Sequence, residues 1–488
     1  MNNNDILARL DLGSSVAEND ENLAKYFIPT VALQDLLADR YDLIRGVKGS
    51  GKSAILRVIS SRKDDYPSLT DVRFHIATEH TGEPGFKRAF GTLREGQYNE
   101  SSLVDAWKTY LINLALDVIE DLPDCGEVKN AISYAERNGL RFRTTNPFKK
   151  MWWSLLRVLH IKSFTVGTDS IAAEFPDEPP AIWTNNEESV IDFAEMLRLC
   201  VTAFAKTNVR CWLLIDRLDA AFQDNPNLET IALRALIVAY KDFMGHPELR
   251  IKLLFRTDLF DQVVTNTGFR ELTHVQDRTS PPISWDADRL LHMIMERFAF
   301  NESIREKYGF TKESIQDREM RELLFLSIFP NQVDVGKRKP NTWNWMLSRI
   351  RDGNSVRTPR DLHMLIQNAA RRQSEILSLG GSENAEELIS SSAIKTGLAQ
   401  LSSDKLQTTL IAENPDLAND ILAFIKQKAE HNEESLNLLL GSDWRQITAR
   451  LVRIGLLEEV ANAWKVPLLY RDGLEVIQGA AFDREESE

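Results

Sequence analysis

The segment Gly46–Ser53, with the sequence GVKGSGKS, constrains this chain more than any other part of it. It fits the G-x-x-x-x-G-K-[ST] pattern of a phosphate-binding loop. Glycines suit this task because, without a Cβ, they let backbone N–H groups approach a triphosphate closely. The residues predicted to form the nucleotide contacts are Gly46, Val47, Lys48, Gly49, Ser50, Gly51, Lys52, Ser53 and Ala54.

The residues around this segment support the same prediction. The apolar run Tyr41 to Ile44 predicts a strand entering the loop, and apolar positions from Ala54 to Ile59 predict a helix leaving it. Lys52 is then expected to meet the β- and γ-phosphate charge, and Ser53, at the helix start, to ligate Mg²⁺. ATP and Mg²⁺ are therefore the predicted cofactors, and a glycine-rich turn with no ligand is the alternative.

A second segment, Cys211 to Asp216, has five largely apolar residues followed by an acid. Such a run is typical of a buried parallel strand, and an acid at its carboxyl end lies where ligands bind to open α/β sheets. Asp216 is therefore predicted as a Mg²⁺ ligand, the alternative being a core strand with a capping Asp. Arg217 follows it, and the next acid, Asp219, is predicted either to orient the attacking water or to cap a helix.

Two arginines are predicted to sense the nucleotide. Arg256 ends the predicted strand Ile251 to Phe255 and is expected to reach the γ-phosphate, unless it is only a surface arginine paired to Asp258. Arg360 opens an amphipathic helix that runs to about Gln373, and there it would project from a second, helical subdomain. The alternative for Arg360 is an ordinary solvated arginine.

These pieces together resemble the bacterial P-loop ATPases of the STAND and KAP-like part of the AAA+ group. The strings that carry the resemblance are GVKGSGKSA, LIDRLDAAF, LLFRTDLF, PPISWDADRLLHMIMERF and RTPRDLHMLIQNAARR. The resemblance implies an α/β fold: an αβα P-loop NTPase core with a parallel sheet, a helical lid and a C-terminal winged helix. It also implies nucleotide-dependent roles for Lys52, Ser53, Asp216, Arg256 and Arg360. Arg217 departs from the acid usual beside the Walker B Asp, which predicts slow hydrolysis with binding retained.

The upstream string LGSSVAENDENLAKYFIPT resembles the lead-in of ATPases encoded in anti-phage defence gene clusters. It implies a role in antiviral defence together with a protein effector encoded nearby.

The predicted domains are an ATPase core over residues 1–280, a helical lid over 281–400 and a winged-helix domain over 401–488. The interval between Lys52 and Asp216 is longer than a compact core needs, which predicts a helical insertion at about 81–186. Its basic and aromatic stretch, Asn146 to Ile161, either stacks nucleotides or packs tryptophans on the core. The last domain is predicted to contain the helices Pro415 to Lys428, Glu434 to Leu440 and Asp443 to Ile454, then the strands Leu456 to Val460 and Ala463 to Leu469.

Composition narrows the choice of partners and compartment. A net charge of -13 argues against broad coating of nucleic acid, although DNA contact through Arg445 and Arg450 stays open. Three cysteines without ligand or disulfide spacing indicate reduced thiols in a cytoplasmic protein. No signal pattern or membrane-spanning apolar run is visible in the sequence, so we expect no membrane partner.

The sequence therefore favours an ATP-hydrolysing regulatory switch that controls assembly or a partner effector. One alternative is an ATP-dependent DNA-binding regulator that acts through the winged helix. Another is a ring-forming remodelling ATPase, a homo-oligomer in which Arg270 or Arg278 acts in trans.

Overall fold

The computed structural model describes residues 2–77, 98–144, 146–158, 192–217, 222, 225–265, 269, 271–380, 387–461 and 463–482. The helices, in chain order, are α1 (Asn3–Arg9), α2 (Leu23–Tyr26), α3 (Val31–Leu37), α4 (Lys52–Ser61), α5 (Glu100–Glu120), α6 (Gly126–Arg137), α7 (Pro147–Val158), α8 (Phe193–Lys206), α9 (Pro226–Lys241), α10 (Thr257–Thr265), α11 (Leu272–Val275), α12 (Ala287–Phe300), α13 (Glu302–Tyr308), α14 (Arg318–Ile328), α15 (Thr342–Arg349), α16 (Pro359–Ser378), α17 (Ser391–Lys405), α18 (Ala418–Leu422), α19 (Glu433–Leu440), α20 (Trp444–Arg453) and α21 (Leu468–Arg471). The strands are β1 (Leu43–Gly46), β2 (Val72–Ala77), β3 (Arg210–Asp216), β4 (Leu249–Arg256), β5 (Lys428–His431), β6 (Glu458–Val460), β7 (Ala463–Lys465) and β8 (Ile477–Ala480).

The chain divides into two compact units. One, here called the sheet unit, contains residues 29–47 and 55–283. The other, here called the terminal unit, contains residues 1–28, 48–54 and 284–488. Residues 1–28 and the loop residues 48–54, which the sequence analysis assigned to the core, thus pack with the C-terminal half of the chain.

The sheet unit is built on a parallel sheet with the strand order β1-β4-β3-β2. Its central strands are almost entirely buried, as expected for strands covered on both faces. The long helix α5 contacts β2 and β3, and α10 contacts β4 and β1. The prediction of a mixed α/β fold with a parallel sheet is confirmed.

A buried charge network lies in β4 and the segment that precedes β1. Lys252 is fully buried, and its Nζ donates to Asp42 Oδ1 at 2.7 Å and also to Asp39. Arg278 donates to both carboxylate oxygens of Asp42 at 2.8 Å. Burial disfavours the charge on Asp42, but Lys252 and Arg278 outweigh it and hold the pKa of this carboxyl below its ordinary value.

The region of the predicted insertion contains helices. One of them, α7, shows whether its basic and aromatic residues are placed to stack nucleotides or are packed in the core. Lys150 is buried, and its Nζ donates to Asp117 Oδ1 at 2.7 Å. Trp153 packs edge-on against Phe142 with ring centroids 5.9 Å apart. These side chains belong to the core, so the packing interpretation holds for them. Residues 78–97 and 159–191 of the insertion lie outside the described ranges.

In the terminal unit, the N-terminal segment lies along α16 and α12. The side chain of Arg297 donates to Asp20 Oδ2 at 3.0 Å, and Tyr26 donates to the same carboxylate. His363 Nε2 donates to the carbonyl of Leu12 at 2.9 Å. Burial, followed by the charge of Arg297, lowers the pKa of His363 to about 3, so this imidazole is neutral.

The last part of the chain forms helices and a sheet with the order β6-β7-β5-β8. The predicted helix Pro415 to Lys428 is wrong over its second half. Helix α18 ends at Leu422, Lys426 has a left-handed φ of +60°, and Lys428 begins β5. The residues of β5 alternate in burial, a strand pattern too short to stand out against the helical segment before it.

Candidate functional site

The strand register brings three of the predicted residues to one edge of the parallel sheet. Gly46 at the end of β1 pairs with Arg256 at the end of β4. Asp216 ends β3 and pairs with Leu254 of β4. Because parallel strands share their carboxyl edge, the start of the glycine-rich loop, Asp216 and Arg256 all lie where open α/β sheets bind ligands.

Asp216 is 3% exposed, as expected for an acid at the end of a buried strand. The next residue, Arg217, has a φ of +59°, which a residue with a Cβ adopts at an energetic cost. The chain therefore turns sharply directly after the carboxylate. Asp219, the predicted water-orienting acid, lies outside the described residues.

Arg256 forms a bidentate ion pair with Asp258, with Nη2 to Oδ2 at 2.6 Å and Nε to Oδ1 at 3.2 Å. The pairing with Asp258 that the sequence analysis left open is therefore present. Next to it, the hydroxyl of Thr257 is buried and has no hydrogen-bond partner among the described residues. Thr257 is a candidate that the sequence analysis missed, although a hydroxyl directly after the strand was a visible signal.

The glycine-rich loop has the backbone that its sequence predicts. Gly49 and Gly51 have φ values of +82° and +99°, which only glycine adopts without strain. Helix α4 begins at Lys52, so the loop ends on the N-terminus of a helix. Successive N–H groups around left-handed residues form a concave site for anions, and the helix dipole adds positive potential there.

Four polar groups in the middle of this loop form no hydrogen bond with the described residues. Three of them are the backbone N–H groups of Gly49, Ser50 and Gly51. The side chain of Ser50 is also buried, with 2% of the residue exposed, and its Oγ has no partner in the described parts of the chain. Leaving a buried hydroxyl unpaired costs about 1–3 kcal/mol, and an anionic ligand in the loop would supply acceptors for such donors.

Three groups of the terminal unit contact the loop. The first is Trp285, whose Nε1 donates to the carbonyl of Ser50 at 2.9 Å. The second is Arg360: a Cβ placed on Gly49 would lie 3.1 Å from the Arg360 Cβ and 3.3 Å from Thr358 Oγ1. The third is Glu413, which pairs with Lys48. The sequence predicts a role at the loop only for Arg360. Trp285 lies in the string PPISWDADRLLHMIMERF, but no contact with the loop is predicted for it, and Glu413 lies in none of the strings that carry the resemblance.

Arg360 is held by the N-terminus of α16. Thr358 caps this helix by accepting from the Asp361 N–H at 3.1 Å, and Pro359 occupies the first turn. Arg360 Nε donates to the carbonyl of Ser15 at 3.2 Å. The side chain therefore lies between the N-terminal segment and Gly49.

The described arginines on which the alternative functions depend, DNA binding and a trans arginine in a ring, form ion pairs with acids of this chain. Arg445 pairs with Glu433 at 3.2 Å, and Arg450 pairs with Asp416, so the two α20 arginines proposed for DNA face acids of their own chain. Arg278 is committed to Asp42, as described above, and Arg270 lies outside the described residues. No observation here favours DNA readout or a trans arginine.

Comparison with protein-family models and with curated proteins found no match. The function is therefore inferred from the glycine-rich loop, the carboxyl edge of the parallel sheet and the contacts of the loop with Trp285, Arg360 and Glu413.

Within the described ranges, no group of three or more His, Cys, Asp or Glu side chains is arranged to hold a metal ion. Mg²⁺ in phosphate sites takes few protein ligands and completes its shell with water and phosphate, so such a cluster is not required. None of the described helices combines the length and apolarity needed to cross a membrane.

Proposed function

We propose that this protein binds ATP with Mg²⁺ at the loop Gly46–Ala54 and hydrolyses it, acting as a regulatory switch. The observation that carries the proposal is a set of donors that have no partner among the described residues: the N–H groups of Gly49, Ser50 and Gly51 and the buried Ser50 hydroxyl, just before the N-terminus of α4. A polyphosphate offers acceptors and negative charge that match this set.

In this proposal each motif residue has a defined task. Lys52 neutralises β- and γ-phosphate charge, and the loop N–H groups hold the phosphate oxygens. Ser53 and Asp216 would hold Mg²⁺, which would supply positive charge to offset the negative charge of the phosphates. Asp219 orients the attacking water. Arg217, in place of an acid beside Asp216, makes the expected turnover slow.

The switch is proposed to act through Arg360 and the helical region that carries it, with Arg256 as a second sensing arginine. Contact between Arg360 and the Gly49 backbone supports this because a ligand in the loop would meet a side chain fixed on α16. A change of the α16 region would then alter assembly or the affinity for a protein effector. The resemblance to ATPases of defence gene clusters suggests an effector encoded nearby and a role against phage.

Turnover is tested by phosphate release from ATP in the presence of Mg²⁺. The wild type is expected to release phosphate above background, and Asp216→Asn to lose at least about 100-fold of that rate. Asp219→Asn should keep ATP affinity while slowing release by about 10² to 10⁴. Asp416→Asn, an exposed acid on the terminal unit, serves as the control and should match the wild type. Equal rates in the wild type and Asp216→Asn would refute hydrolysis at this site.

The switch is tested separately by light scattering and effector pull-down with ATP, ADP or no nucleotide. A coupling of about 1–3 kcal/mol would change affinity about 5- to 150-fold between nucleotide states. Arg360→Ala should reduce that difference. The same assembly and the same effector affinity in all three states would contradict a switch and leave at most an ATP-binding protein.

A further inference from the structure

Trp285, a residue outside the motif, makes a directed contact with the glycine-rich loop. Its Nε1 donates to the Ser50 carbonyl at 2.9 Å, and its ring carbon Cζ2 would lie 3.8 Å from a Cβ placed on Gly51. The ring is half-buried and packs against the hydrophobic core of the terminal unit. Trp285 therefore contacts the backbone of the loop from a supported position.

The segment that carries Trp285 is itself fixed by a helix cap. Asp286, the next residue, accepts from the Arg289 N–H at 2.8 Å and starts α12. Helix α12 continues into the buried core through residues such as Leu290 and Ile294. The cap orders the backbone directly after Trp285, so the indole is carried by a fixed segment of the chain.

The hydrogen bond from Trp285 fixes the orientation of the whole Ser50–Gly51 peptide and not only that of the Ser50 carbonyl. The Ser50–Gly51 peptide is planar and trans, so its C=O and the N–H of Gly51 point in opposite directions. With the C=O held toward Trp285, the Gly51 N–H must point away from the indole. Gly51 has no Cβ and a φ of +99°, so side-chain sterics would otherwise permit this peptide to rotate.

We infer that Trp285 is a positioning residue for phosphate binding: it orients the Ser50–Gly51 peptide so that the Gly51 N–H serves as a preformed donor to a polyphosphate oxygen. This inference rests on the proposed function and assigns to the loop a support that its motif does not contain. The donor is aligned before the ligand arrives, which removes the cost of ordering it during binding.

The experiment measures the affinity for Mg-ATP and, by competition against a fluorescent ATP analogue, for inorganic tripolyphosphate. Trp285→Phe keeps a ring and removes the indole N–H. Trp285 replaced by β-(3-benzothienyl)alanine removes the N–H with almost no change of shape, which protects the test against misfolding. Trp345→Phe is the matched control, because Trp345 Nε1 donates to Asp334 Oδ2 at 2.8 Å in the same unit but away from the loop.

The N–H-deleted proteins are expected to bind both ligands about 3- to 10-fold more weakly than the wild type, the effect of one lost hydrogen bond. Trp345→Phe is expected to lower the melting temperature and to leave both affinities unchanged. An equal loss of affinity for both ligands would show that the indole N–H acts on phosphate binding, because phosphate is the part that the two ligands share.

Three results would overturn the inference. Unchanged affinity in both Trp285 replacements, with the wild type binding ATP, removes the positioning role and leaves the proposed function standing. A loss for ATP but not for tripolyphosphate shows that the ring contacts the base instead. Failure of the wild type to bind either ligand refutes the proposed function, and the positioning role with it.

Discussion

At the scale of single residues, the demands on the loop are clearest at Gly49. Its φ of +82° is strained for any residue with a Cβ, and an added Cβ would lie 3.1 Å from the Cβ of Arg360, closer than ordinary van der Waals contact. The position thus combines a backbone requirement with a close approach to a predicted sensor. A generic left-handed glycine would have only the first of these.

We expect Gly49→Ala to weaken ATP binding at least about 10-fold and to lower the free energy of unfolding by about 1–2 kcal/mol. Gly309→Ala is the matched control: Gly309 has a φ of +69° but open space around its Cβ position. It should show a similar loss of stability with unchanged ATP affinity. The two quantities are read by equilibrium titration and denaturant unfolding. Equal ATP affinity in both variants would show that the Gly49 contact has no bearing on the loop.

Single residues also show which parts of the candidate site can be predicted from the sequence and which cannot. Gly49 and Lys52 are predictable from a motif with fixed spacing, Asp216 from an acid after an apolar run, and Arg360 from its place at the start of an amphipathic helix. Trp285 could not, because it meets Ser50 only after the chain between them has folded, and a single tryptophan carries no spacing signal.

At the scale of elements, the ion pair between Lys48 and Glu413 joins the loop to the chain that follows α17. Glu413 places a negative charge beside a loop that is proposed to bind phosphate, and it also competes for a lysine of that loop. Lys48 is 42% exposed, so the attraction is screened by water and salt. We therefore expect the pair to oppose the proposed ligand binding by a modest amount.

Glu413→Gln is expected to tighten Mg-ATP binding about 2- to 5-fold at low salt, with the gain shrinking as salt rises. Titrations at two ionic strengths measure this effect. Glu434→Gln, an exposed acid of α19, is the control and should change nothing. Weaker ATP binding in Glu413→Gln would mean that the pair supports the loop rather than competing with its ligand.

Helix α16 holds the N-terminal segment with one face. Arg360, His363 and Gln367 donate to the carbonyls of Ser15, Leu12 and Gly13, respectively. Their spacing of three and four residues places them on one side of the helix. The sequence shows this spacing, but three polar residues on a helix ordinarily indicate a solvated face, so their carbonyl partners could not be predicted.

His363, on this face of α16, makes the free energy of unfolding depend on pH. Burial lowers the pKa of His363 to about 3, whereas an unfolded histidine titrates near 6.5. Below pH 6.5 the unfolded chain binds a proton that the folded chain does not, so stability falls as the pH falls. Between pH 6.5 and pH 5, the wild type should lose about 1.5 kcal/mol more than His363→Gln, measured by urea unfolding at each pH. Parallel losses in the two proteins would show that His363 is not buried neutral.

Element prediction succeeded where the patterns were long. The strands β3 and β4 and the helix α16 followed from extended apolar runs or regular helical spacing. It failed at β5, where the left-handed turn at Lys426 and a strand of four residues carry little pattern of their own. Short elements are decided by their neighbours in the fold, which the sequence does not display.

At the scale of the whole molecule, the path of the chain is the main finding. Strand β1 and most of α4 belong to the sheet unit, while loop residues 48–54 pack with the terminal unit. The loop residues that follow β1 therefore make their contacts within the terminal unit, where Trp285, Arg360 and Glu413 lie. These contacts are the physical basis for proposing that a ligand in the loop acts on the terminal unit.

The central claim is that this loop binds ATP, and the most direct measurement is an isothermal titration of Mg-ATP into the wild type and Lys52→Ala. The wild type should bind one ATP per chain with saturation, and Lys52→Ala should bind about 10- to 150-fold more weakly, since a charge-assisted contact contributes about 1.5–3 kcal/mol. Lys129→Ala, an exposed lysine of the sheet unit, should match the wild type. Binding that is absent from the wild type, or equal in the wild type and Lys52→Ala, would contradict the account.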